Sequence, residues 1–82
     1  MKIELVNGTF NPNEAMELIS RLVDAKISFL QDKIETSSNE EDIKMRERRI
    51  RKIQSEFHET RALLMEAQKP CGIVATVKMD SV

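Results

Sequence analysis

The stretch Ile34-Glu35-Thr36-Ser37-Ser38-Asn39-Glu40-Glu41-Asp42 decides the fold. Before it, apolar residues recur at helical spacing without a breaker back to Pro12. After it, the same spacing resumes at Ile43. Within it, Ser38 is placed to cap a new helix and Glu41 to close a capping box, while Glu40, Glu41 and Asp42 favour the positive end of that helix's dipole. The connection is only about three residues long, which forces two long helices into an antiparallel hairpin.

Working outward, Asn11-Pro12-Asn13-Glu14 carries the signals that begin the first helix. Asn11 can cap, Pro12 suits the first helical position, and Glu14 can reach back to complete a capping box. The first helix is expected over 12–35 and the second over 39–68. Lys69 then sits at the negative end of the second helix, and Pro70 and Gly72 stop it.

Both ends of the chain alternate with strand periodicity. In residues 2–6, Ile3 and Leu5 take one side and Lys2 and Glu4 the other, followed by a turn signal at Asn7-Gly8 with too little strand after it to make a hairpin. In residues 73–79, Ile73, Ala75, Val77 and Met79 alternate with Val74, Thr76 and Lys78. The hairpin returns residue 69 to the neighbourhood of residue 12, so these strands meet and can pair antiparallel. The expected architecture is a single mainly α domain over 1–82, β-α-α-β, with a coiled-coil-like helical hairpin. A two-stranded ribbon is weak alone and has open edges.

The two helices differ in how much of their circumference is apolar. On the second, Ile43, Ile50, Ile53, Phe57 and Leu64 fall in one stripe about 80° wide, enough for one neighbour. On the first, Leu18, Leu22, Ala25 and Phe29 form one stripe, and Met16, Ile19, Val23, Ile27, Leu30 and Ile34 form another. Together they span about 200°. One stripe meets the second helix. The other needs a second neighbour, and two short strands cannot cover a helix about 36 Å long. The expected inner seam is Ile19, Val23, Ile27, Leu30 and Ile34 against Ile43, Ile50, Ile53 and Phe57, though periodicity alone allows the stripes to be exchanged. Leu18, Leu22, Ala25 and Phe29 are then the expected interface with a second copy, giving a four-helix bundle of two hairpins. Coverage by the terminal strands, or by another protein, is the alternative. Lys26 and Lys33 lie inside the apolar arc and can snorkel.

Totals support a partner. A chain of 82 residues buries only about 60% of its unfolded surface, and with Cys71 as its single cysteine it has no internal disulfide. Thirteen basic against 14 acidic residues give a net charge of −1, and a third of the residues are charged. That balance points to neither a nucleic-acid binder nor an acidic tail. The opening Met1-Lys2-Ile3-Glu4-Leu5-Val6 is too short and charged for a signal peptide, and no apolar run reaches membrane-spanning length, so a cytoplasmic protein without a membrane role is expected.

The strongest charge cluster is Lys44-Met45-Arg46-Glu47-Arg48-Arg49-Ile50-Arg51-Lys52. Lys44, Arg48, Arg51 and Lys52 fall opposite the apolar seam and could contact phosphates. Against this, Glu40–Lys44, Asp42–Arg46, Glu47–Arg51 and Lys52–Glu56 are spaced as ordinary helical ion pairs, and no aromatic residue is present to stack on bases. Arg46 alone points into the seam, where an acid on the facing helix such as Asp32, or a second copy of the chain, could meet it. His58 has no ligand one turn away, the methionines read as packing, and Cys71 reads as a turn residue. No phosphate loop, nucleophile with a base, or convergent acid pair is present, so neither enzyme activity nor a cofactor or metal is expected. The expected function is a structural or protein-interaction module acting as a homodimer. The alternative is a small nucleic-acid-binding regulator using the basic face of the second helix.

Overall fold

Four elements follow one another in the computed structural model, which describes residues 1–81: β1 (Lys2–Phe10), α1 (Pro12–Thr36), α2 (Glu40–Ala67) and β2 (Cys71–Lys78). The helices form an antiparallel hairpin, and the strands pair antiparallel as a two-stranded sheet.

The start of α1 is built as its residues dictate. The Glu14 N–H donates to Asn11 Oδ1 at 2.9 Å, and the Glu14 carboxylate accepts from the Asn11 side-chain amide. Pro12 occupies the first helical position, where its missing N–H costs nothing. The start of α2 differs from expectation by one residue. Asn39, not Ser38, is the cap, and its Oδ1 accepts from the N–H groups of Glu41 (2.9 Å) and Asp42 (3.2 Å). The Ser37 hydroxyl in turn accepts from the Asn39 N–H at 3.3 Å. An amide oxygen one residue closer to the helix outcompetes the Ser38 hydroxyl for the same donors.

The end of α2 also has a different agent. Gln68, rather than Gly72, takes the left-handed conformation that terminates the helix, with φ 50° and its N–H donating to the Leu64 carbonyl at 3.1 Å. Pro70 then precedes β2, which begins at Cys71, so Cys71 is a strand residue and not part of a turn.

β1 is nearly twice as long as its first five alternating residues indicate. Asn7-Gly8 lies inside the strand: Asn7 pairs with Val74 and Gly8 with Ile73. An Asn-Gly pair makes a hairpin turn only when a partner strand follows immediately, and here the partner lies at the far end of the chain. The register shifts between Glu4 and Val6, leaving Leu5 as a bulge. The bulge corrects the alternation. Ile3 shares a face with Val6 and Phe10, opposite Val77, Ala75, Ile73 and Cys71, instead of with Leu5.

The hairpin and ribbon do not lie end to end. A 28-residue helix is about 42 Å long and a nine-residue strand about 30 Å, so end to end they would exceed 70 Å. The molecule measures 45 × 31 × 14 Å. Its radius of gyration is 15.2 Å, against about 11.7 Å for a compact domain of this length. The buried core is correspondingly small: Val6 on the ribbon and Ala15 and Leu30 on α1.

Candidate interaction surface

The seam between the helices is bracketed by two clefts. On one side Met16 and Ser20 line a cleft with Phe57, Arg61 and Met65. On the other, Lys26 lines one with Arg49, Lys52, Ile53 and Glu56. Between Ser20 and Lys26 on the wheel lie Ile19, Val23, Ile27, Leu30 and Ile34. Leu30 is buried and the others half-buried, as are Ile43, Ile50, Ile53, Phe57 and Leu64 of α2. This is the inner seam. Arg46 closes its loop end, but with a different partner from the acid expected of it. Its guanidinium donates to the Lys33 carbonyl at 3.4 Å, near the C-terminus of α1, where carbonyls lack helical partners.

The outer seam of α1 divides into two halves. Near the ribbon, Ala15 is wholly buried and Leu18 half-buried, with Phe10, Glu14, Glu17 and Arg21 lining a depression around Leu18. Leu22 is also half-buried. Toward the loop, Ala25 is exposed and Phe29 is 60% exposed. The Lys33 ammonium lies 5.5 Å from the centroid of the Phe29 ring, within cation–π range. The ribbon therefore shelters the base of the outer seam and leaves its upper half open.

The ribbon adds an apolar face that the five-residue strand could not reveal. Val6 is buried, and Phe10, Cys71, Ile73 and Ala75 are half-buried. At the far end Ile3 and Val77 are exposed, as are Leu5, Met1 and Met79. The period-two run Val6, Gly8, Phe10 was the available signal, masked by the turn reading of Asn7-Gly8.

The basic face of α2 is interleaved with carboxylates. The Lys44 ammonium lies 3.8 Å from Glu40 and the Lys52 ammonium 3.9 Å from Glu56. Arg48 lines a depression with Glu41, Asp42, Lys44 and Met45. Arg48 and Arg51 are exposed, and among the described residues no carboxylate lies within 4.0 Å of either. Arg49 donates to the Met45 sulfur at 3.9 Å. The grouping that linear sequence missed is Lys26 with Arg49 and Lys52 in one cleft of about 260 Å³, since it draws on both helices.

His58 is exposed and Cys71 is a free thiol. Among the described residues, no group of three or more His, Cys, Asp or Glu side chains is placed to hold a metal ion, and no helix is long and apolar enough to cross a membrane. No family model, curated protein or solved structure matches the chain.

Proposed function

We propose that this protein is a non-enzymatic interaction module that acts as a homodimer, with the outer seam of α1 covered by a second copy. One observation carries the proposal. The chain exposes 6674 Å², whereas a compact monomer of 9.5 kDa exposes about 5,050 Å². The surplus of roughly 1,600 Å² per chain matches what a protomer buries in an obligate homodimer interface. The surplus is apolar where it matters, at Ala25 and Phe29 on α1, beside the half-buried Leu22, and along the far end of the ribbon. The net charge of −1 puts little repulsion between copies.

Light scattering across a concentration series tests this proposal. The expected result is twice the 9.5 kDa chain mass at micromolar concentration, and a change to the chain mass on Phe29→Asp. A wild-type chain that stays monomeric throughout overturns it.

A second function, phosphate binding by the basic face, draws support from the exposed and unpaired Arg48 and Arg51 beside Lys44 and Lys52. Mobility of a labelled duplex at ~50 mM salt measures it. A shift that disappears when these four residues become Ser supports it, and no shift removes it.

A further inference from the structure

The two edges of the ribbon are not alike, and the difference selects one of them. The Met1 nitrogen donates to the Met79 carbonyl at 2.9 Å, and the Met79 N–H donates to the Met1 carbonyl at 2.7 Å. This is a doubly bonded pair, and in an antiparallel ladder such pairs alternate with pairs that exchange no bonds. Counting back from Met79 along β2, whose register runs without interruption, Val77, Ala75, Ile73 and Cys71 direct their backbone groups at β1. Lys78, Thr76, Val74 and Gly72 direct theirs outward. The free edge of β2 therefore presents a regular row of N–H and C=O groups. Its sequence, Gly72-Ile73-Val74-Ala75-Thr76-Val77-Lys78, is rich in β-branched residues and carries one charge, at its end. The free edge of β1 is broken by the Leu5 bulge and bears Lys2 and Glu4, which are features that blunt an edge.

We infer that the free edge of β2 pairs antiparallel with β2 of a second copy, with Ala75 on the two-fold axis, so that two ribbons form one four-stranded sheet. The inference rests on the self-association proposed above and adds a site to it. Identical strands related by a two-fold axis perpendicular to the sheet can pair only antiparallel. The register follows from counting bonds. With Ala75 opposite its copy, Val74 faces the partner's Thr76 and Gly72 faces the partner's Lys78, and every outward group of the strand is paired. A shift of one residue toward Val74 sets Lys78 opposite the partner's Pro70, which has no N–H. A shift toward Thr76 carries Gly72 past the end of the partner strand, which stops at Lys78.

Side chains agree with this register. Val74, 72% exposed in the single chain, gains a β-branched cross-strand neighbour in the partner's Thr76. The exposed Val77 comes beside the partner's Ile73, and the apolar underside continues across all four strands. Lys78 lands beside a glycine, so no like charges meet.

The test uses cysteines in the full chain with Cys71→Ser as background. Ala75→Cys should form an intermolecular disulfide under mild oxidation, since a non-bonded antiparallel pair holds its Cα atoms about 4.5 Å apart, within disulfide range. Ile73→Cys and Val77→Cys should stay reduced, each being about 13 Å along the strand from its own copy. In parallel, amide exchange of the wild-type dimer should show Val74 and Thr76 protected as strongly as Ile73 and Val77. If the wild type is a dimer but residue 75 does not cross-link and the Val74 and Thr76 amides exchange freely, the edge pairing is wrong and the helical interface stands. If the wild type is a monomer, both fail.

Discussion

The two helices are nearly equal in length, 25 and 28 residues, yet they solve different problems. Among the described residues, α1 carries two of the three that are buried, Ala15 and Leu30, and α2 has none. α1 lies between α2 on one side and the ribbon on the other. α2 has only α1, and the rest of its circumference is mostly polar and charged, with Met45, Leu63 and Met65 exposed among those residues. The width of the apolar arc, about 200° against about 80°, sets how many neighbours a helix can use. The one seam of α2 is covered in this structure, but the outer seam of α1 is covered only at its base.

The largest effect that sharpens this contrast comes from the inner seam. Leu30→Ala should cost about 2–4 kcal/mol of stability, because it empties a buried site that has little to collapse around it. Ile50→Ala on half-buried α2 should cost visibly less. Urea denaturation of both variants measures the difference, and equal losses would erase the asymmetry between the helices. Next is the outer seam. Phe29→Asp should weaken self-association by about 100-fold, the scale of losing one well-buried aromatic contact. Leu63→Asp on α2, although 69% exposed, should leave the solution mass unchanged. A reversed result would put the interface on α2.

A smaller effect separates the two candidate caps of α2. Asn39→Ala should cost about 1 kcal/mol, the usual value of a lost N-cap, while Ser38→Ala should be nearly silent in thermal unfolding. The smallest is expected from the surface charges. Lys44→Ser should change stability by less than about 0.5 kcal/mol, as exposed helical ion pairs do. A larger loss would mean that Lys44 has a role its pairing with Glu40 does not explain.

Much of this architecture was legible because it depends on periodicity and punctuation. Pro12, the short polar stretch at 37–39 and Pro70 bound the helices, and the two stripes of α1 are visible as residue spacing. Three features were not legible, each for a physical reason. The Leu5 bulge hides the true face of β1, since a single extra residue inverts the alternation beyond it. Asn7-Gly8 carries a turn signal whose meaning depends on a partner strand more than 60 residues away. Asn39 and Ser38 are equally good caps by type, and only backbone geometry chooses between them. For the candidate surface, α1's outer seam was legible and its division into sheltered and open halves was not. The ribbon's position over Ala15 and Leu18 is a tertiary fact. The grouping of Lys26 with Arg49 and Lys52 depends likewise on how the two helices are rotated about their axes.

The pairing of Met1 with Met79 has a kinetic consequence. In an unfolded chain, bringing the strands together closes a loop of some sixty residues, which is entropically unfavourable and slow. Once the hairpin has formed, α1 and α2 hold Phe10 and Cys71 side by side and the effective loop shrinks to the width of two helices. The ribbon should therefore zip from Phe10–Cys71 outward and form last. In stopped-flow folding, substitutions in the helical seam should slow refolding, whereas substitutions at Ile3 or Val77 should act almost wholly on the unfolding rate. The strand ends are then the first part of the molecule to open and the last to close.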